Sequence, residues 1–130
     1  MPALPSEPAA AKEQKSLSID WNTALKAVNG RRDLMRELIE LFCEEGPRLL
    51  QEAQHAIAAD NPESLRIAAH TLKGSSRYFG QNQVGDIAAE LEKIAAARDL
   101  TAAPACYQSL ATALDELLPV LRQFDASKTT

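Results

Sequence analysis

The sequence predicts an all-α fold, an antiparallel up-down four-helix bundle with a short additional N-terminal helix. Three observations lead there. The 130-residue chain is 45% hydrophobic but only 5% aromatic, so its core is expected from alanine- and leucine-rich helical faces rather than from β-branched and aromatic strands. After residue 17, apolar side chains recur at spacings of three and four, the period of helices buried along one side. Only a few residues separate these segments, and short connections make consecutive helices antiparallel neighbours. A chain of this length holds one such domain with a genuine core.

Residues 1–16 (MPALPSEPAAAKEQKS) contain three prolines and no apolar period, which reads as a flexible tail or linker. The domain is then expected over 17–125, leaving 126–130 as a disordered C-terminal tail. Trp21, Ala24, Leu25 and Val28 fall on one face of a short first helix. Ser18 or Asp20 is placed to cap it, and Gly30 suits the C′ position beyond its end. The second helix carries Met35, Leu38, Phe42, Leu49, Ala53 and Ile57 in one stripe from Arg31 to Ala59, a length of roughly 40 Å. Gly46-Pro47 interrupts it. Because the stripe keeps its phase across them, a kink is expected rather than two helices.

Asp60-Asn61-Pro62 makes a turn, with Asn61 as N-cap and Pro62 at the first helical position. The third helix runs to about Phe79. Val84, Ile87, Leu91 and Ile94 define a fourth, ending near Arg98. The fifth opens near Thr101, where Pro104 is tolerated in the first turn, and its stripe is Tyr107, Leu110, Leu114, Leu117, Leu121 and Phe124. Pro119 is a candidate kink.

Composition narrows the functional classes. Cys43 and Cys106 lie far apart, without a CxxC or a histidine at ligand spacing, so neither a zinc site nor a disulfide framework is expected and both read as buried thiols. No apolar run approaches the roughly 18 residues of a membrane span, and the N-terminus lacks the apolar core of a signal peptide. The formal charge of −4 argues against nucleic-acid binding. A cytoplasmic monomer acting on a protein partner is the expectation.

The third helix carries two stripes. Leu65, Ala68, Ala69, Leu72, Ser76 and Phe79 face the core, while Arg66, His70, Lys73, Gly74 and Arg77 recur on the other side. A neutral imidazole among cations is suited to attack a negatively charged electrophile, and a phosphoryl group fits best. Lys73 and Arg66, one turn either side, are expected to disfavour the imidazolium. Gly74 costs about 1 kcal/mol inside a helix, a loss explained by the close approach of a second protein. His55 has no such setting and reads as ordinary surface, as do Glu37, Glu40, Glu44 and Glu45. Ser75 and Ser76 read as packing residues, because no histidine-carboxylate pair is placed to activate them.

The string His70-Thr71-Leu72-Lys73-Gly74-Ser75-Ser76, followed by Gly80, resembles the HxxKGxxxxxG signature of the histidine-containing phosphotransfer (HPt) domains of multistep phosphorelays. Ala24-Leu25 with Gly30, the Phe42 to Leu50 segment and Leu91-Glu92 also resemble that family, so the likeness extends over about residues 18–124. It implies that His70, through Nε2, accepts a phosphoryl group from the aspartyl phosphate of one receiver domain and passes it to the aspartate of another. Lys73 would steady the phosphoryl group, Gly74 would leave room for the receiver, and Arg66 and Arg77 would help dock it. Some members place a glutamine where Glu92 stands; a carboxylate cannot donate in that way, so no fourth-helix ligand is assigned. The resemblance further implies a phosphocarrier with no ATP site and no cofactor of its own, the Mg²⁺ belonging to the receiver of a response regulator or hybrid histidine kinase. A receiver-binding adaptor without phosphotransfer is the alternative. A hydrolytic or metal enzyme is disfavoured, because no second histidine, cysteine or carboxylate shares the His70 face at ligand spacing. The receiver is expected to cover the His70 face and the first helix.

Overall fold

The computed structural model describes residues 19–124. The expected tails at 1–16 and 126–130, and the possible Ser18 cap, lie outside them. Five helices and no strand occur among the described residues: α1 (Trp21–Lys26), α2 (Arg32–Ala58), α3 (Pro62–Ser76), α4 (Gln83–Ala96) and α5 (Ala103–Arg122). The last four pack in a ring, α2 on α3, α3 on α4, α4 on α5 and α5 back on α2. This is the bundle that the periodicity predicts.

α1 is the short additional N-terminal helix that the sequence predicts. Asp20 caps it by accepting from the Thr23 amide at 3.3 Å, and Ala24 and Val28 are buried beneath it. It packs on the turn Arg77–Phe79 at the end of α3, while Trp21 meets Phe124 with ring centroids 4.6 Å apart. Its C-terminal exit differs by one residue from expectation. Asn29, at φ 55°, takes the left-handed C′ position, and Gly30, at φ 73°, follows it. The Gly30 amide returns to the Leu25 carbonyl at 2.7 Å and Asn29 to Lys26 at 3.2 Å, the paired bonds of a Schellman ending.

α2 is one helix through Pro47, as its unbroken phase requires. Its buried line is Met35, Ile39, Phe42, Gly46, Leu49, Ala53 and Ala56, so Leu38 and Ile57 flank the stripe rather than centre it. Gly46 lies against α5, where an added Cβ would stand 3.3 Å from Leu114 Cδ1. α2 and α3 join through a second Schellman ending, with Asp60 at φ 53° and the Asn61 amide on the Ala56 carbonyl at 2.9 Å. Asn61 then caps α3, accepting from Ser64 at 3.1 Å. In α4 the buried positions are Val84, Ala88, Leu91 and Ala95, and the predicted Ile87 and Ile94 sit at the margin. α5 holds its predicted stripe and continues through Pro119. The two cysteines are free and half-buried rather than buried. Desolvation raises the pKa of Cys106 above the ordinary thiol value.

α3 ends earlier than the apolar pattern implies, at Ser76, and the chain tightens into a 3₁₀ turn over Arg77–Phe79 before Gly80 at φ 88°. That positive φ calls for glycine. Phe79 stays buried, meeting Phe42 edge-on with centroids 5.4 Å apart. Asn82 secures the reversal. Its side chain accepts from the Gly85 amide at 3.1 Å and donates to the Ser76 and Gly80 carbonyls, each at 2.8 Å. Asn82 is therefore expected to matter more than Asn61, although both are N-caps. Asn82→Ala should lower the unfolding free energy by about 2–3 kcal/mol and Asn61→Ala by about 1 kcal/mol, since only the former strands buried partners. Equal shifts of the two denaturation midpoints would contradict the role assigned to the Asn82 bonds.

Candidate functional site

The two stripes of α3 are real. Leu65, Ala68, Ala69, Leu72, Ser76 and Phe79 are all buried, and the His70 side chain stands out at 62% exposure. Its neighbours are arranged differently from the expected row of free cations. Arg66 is taken up by Glu63, one turn back, through two bonds at 3.2 and 2.6 Å. Lys73 is folded down to 24% exposure with its Nζ 2.7 Å from Glu92 Oε1. Arg77 lies at the end of α3 beside α4, its Cγ and Nε 3.4 Å from where a Cβ on Gly85 would stand. It is two turns from His70, about 10 Å along the axis. The structure thus joins His70 and Lys73 closely, sets Arg66 beside them in its own ion pair, and leaves Arg77 apart.

Glu92 completes the cluster from α4. One carboxylate oxygen binds Lys73, and the other, Oε2, lies 2.9 Å from His70 Nδ1. The Lys73 ammonium, outweighing partial burial and aided by the His70 hydrogen bond, holds the Glu92 pKa below the ordinary glutamate value. An ionised carboxylate only accepts hydrogen bonds, so Nδ1 carries the proton in this contact, and in the neutral ring Nε2 then holds the lone pair. The exposed ring therefore presents its nucleophilic nitrogen outward. A carboxylate does share the histidine's surroundings, contrary to the expectation from α3 alone. It was hidden because it lies 22 residues away and arrives only through antiparallel packing.

From the sequence Glu92 is weighed only as a donor to a phosphoryl group and is given no role. Its observed partner is the other side of the ring. The signal that could have found it is the spacing from the α3–α4 turn. Ser76 and Gly85 touch there, an added Cβ on Gly85 standing 2.9 Å from Ser76 Oγ. Six residues back from Ser76 and seven forward from Gly85 give about 9 and 10.5 Å of rise, which brings His70 and Glu92 level.

Gly74 has open space around it: a Cβ there would meet no atom within 4 Å. Nothing in the chain's own packing demands glycine at that position. The exposed apolar residues lie on α2 and around α3 rather than on α1. Leu41, Ile67 and Tyr78 are 55%, 52% and 53% exposed. Leu41 and Tyr78 line one crevice with Leu38 and Ser75. Trp21 and Leu25 of α1 are half-buried against the core. No helix among the described residues is long and apolar enough to cross a membrane.

A family model described as "Hpt domain" matches residues 37–123, from the second turn of α2 to just past the end of α5. The signal transduction histidine-protein kinase BarA of Shigella flexneri is 28% identical over 76 residues, which are 58% of this chain and 8% of that protein. BarA of Escherichia coli (strain K12) is 26% identical over the same share of each chain. The chain spans far less than two thirds of these relatives. No solved structure matches significantly. With its helical bundle and a family match over more than half its length, the chain belongs to the Hpt domain family.

Proposed function

We propose that this protein is a phosphorelay carrier in which His70 Nε2 accepts a phosphoryl group from a receiver aspartyl phosphate and returns it to a second receiver aspartate. The observation that carries the reading is the bond from His70 Nδ1 to Glu92, which leaves Nε2 bare on an exposed ring. In the forward step the Nε2 lone pair attacks phosphorus, the Nε2–P bond forms, and the P–O bond to the aspartate breaks with its electrons leaving on the carboxylate. Nδ1 keeps its proton throughout. Transfer to the next receiver is the reverse sequence, with the electron pair returning to Nε2.

The other side chains take supporting roles. Lys73 is near enough to steady the phosphoryl oxygens once its bond to Glu92 yields, and Arg66 and Arg77 offer charge to an acidic receiver surface. Leu41, Ile67 and Tyr78 offer the apolar part of the docking surface, with Gly74 as the gap that admits the partner. Both Glu92 oxygens are engaged by Lys73 and His70, so this carboxylate is ill suited to hold a divalent cation; the Mg²⁺ for the transfer belongs with the receiver. The domain supplies a nucleophile without kinase chemistry of its own. A place among the modules of a histidine kinase relay fits its similarity to the signal transduction histidine-protein kinases BarA.

Incubation with a phosphorylated receiver should label the protein in an acid-labile, alkali-stable form, and His70→Gln should abolish the label. Labelling that survives this substitution, or receiver binding without any phosphoryl movement, would remove the proposal. At Gly74 the expected effects separate. Gly74→Ala should raise stability by about 0.5–1 kcal/mol through helix propensity, whereas Gly74→Gln should slow transfer by roughly tenfold or more by displacing the partner. A Gly74→Gln variant with unchanged transfer rates would show that the gap is not used. Leu41→Ala and Tyr78→Ala should each weaken receiver binding by about 1–2 kcal/mol, measurable by titration calorimetry, while the corresponding change at Trp21 should act on stability first.

A further inference from the structure

We infer that Glu92 shortens the lifetime of the phosphoryl group on His70, by holding the proton on Nδ1 and by keeping Lys73 from the phosphoryl oxygens. This rests on the reading of His70 as the phosphoryl acceptor. The supporting geometry is the division of one carboxylate between two partners, Lys73 Nζ at 2.7 Å and His70 Nδ1 at 2.9 Å. Glu92 is only 20% exposed, and His70 is 62% exposed. The carboxylate is thus sheltered behind the ring while the reacting nitrogen faces outward.

When Nε2 carries the phosphoryl group and Nδ1 keeps its proton, the ring is a cation. Cleavage of the Nε2–P bond returns the electron pair to Nε2 and leaves a neutral imidazole, so no proton has to move. If the ring loses the Nδ1 proton first, the leaving group becomes an imidazolate, which departs far less readily. A carboxylate on Nδ1 favours the protonated ring and so the reactive form. The acceptor is a receiver aspartate or water, and the bond that breaks is the same.

Lys73 acts in the same direction. Its ammonium paired with phosphoryl oxygens would stabilise the loaded state, but Glu92 competes for it at 2.7 Å. The carboxylate also brings negative charge towards a phosphoryl dianion. Arg66 does not offset this freely, because Glu63 holds it by two bonds. Protonated ring, diverted lysine and neighbouring negative charge together make the loaded histidine a short-lived state. Replacing Glu92 by glutamine keeps the side chain's length and one acceptor oxygen but removes the negative charge, which weakens the hold on the Nδ1 proton and on Lys73 and takes away the repulsion of the phosphoryl group.

The test loads wild-type protein and Glu92→Gln with phosphoramidate, a small phosphoryl donor, and follows phosphohistidine by ³¹P NMR at neutral pH after the donor is removed. The half-life should be roughly tenfold longer in Glu92→Gln, equivalent to about 1.4 kcal/mol. In parallel, ¹⁵N NMR of the unloaded wild-type ring should show Nδ1 protonated and Nε2 bare, a signature that a purely structural glutamate would not impose. Equal or shorter lifetime in the variant would overturn this inference alone, while absence of phosphohistidine from the wild-type protein would remove the carrier reading as well. Should the variant fail to fold, the wild-type spectrum still decides: a neutral ring protonated on Nε2 instead of Nδ1 overturns the inference.

Discussion

The close contact between α3 and α4 at Ser76 and Gly85 is the constraint on which the site depends. Ser76 is fully buried, its hydroxyl turned back to the Lys73 carbonyl at 3.1 Å, and Gly85 faces it without a side chain. Asn82 fastens the same junction by bonding to both sides of the turn. With the register set there, two turns of each helix carry His70 and Glu92 to the same height. A shift of one residue in α4 would rotate Glu92 by about 100° and remove it from the imidazole. The chemistry of an exposed side chain is therefore decided by a buried serine and glycine about 9 Å away along the helix.

The sequence made some of this legible, and the boundary follows physical range. Local features survive intact: the two stripes of α3, the Asn61-Pro62 start and the exposed His70 depend on spacings within one helix. The core was read to within a residue, with Ile39 and Ala88 at stripe centres where Leu38 and Ile87 were expected. At α4 the error comes from a large isoleucine flanking a line that close packing gives to alanine, whereas Leu38 and Ile39 are isomers and differ only in the phase of the stripe. Charge was the least legible property. Arg66 and Lys73 read as free cations because their carboxylate partners do not announce themselves, one lying at an unremarkable i−3 position and the other on a different helix.

The corrected charge pattern changes how the site works. A row of bare cations would attract a phosphoryl group strongly and hold it. The observed arrangement pairs Arg66 and Lys73, the two cations nearest His70, with carboxylates, so net attraction near His70 is weak until a partner rearranges the pairs. Lys73 and Glu63 both lie within one or two turns of the nucleophile, and their ion pairs are partly exposed, which makes them inexpensive to open. A carrier has to release its cargo as readily as it takes it, and paired charges favour that balance better than free ones.

His70 also sits on a border between two kinds of surface. Around α3, Lys73 and Arg66 lie to one side of the ring, towards α4, while Ile67, Gly74 and Tyr78 lie to the other, towards α2. The polar side holds the proton and the counter-charge; the apolar side and the glycine gap leave contact area unfilled. A partner approaching over α2 and α3 can cover Leu41, Ile67 and Tyr78 and reach Nε2 without displacing Glu92 from Nδ1. Binding energy and chemistry are then drawn from opposite sides of the same ring. On the proposed reading, that separation would let receivers with different contact surfaces meet one unchanged nucleophile, because the residues bonded to Nδ1 lie outside the area they would bury.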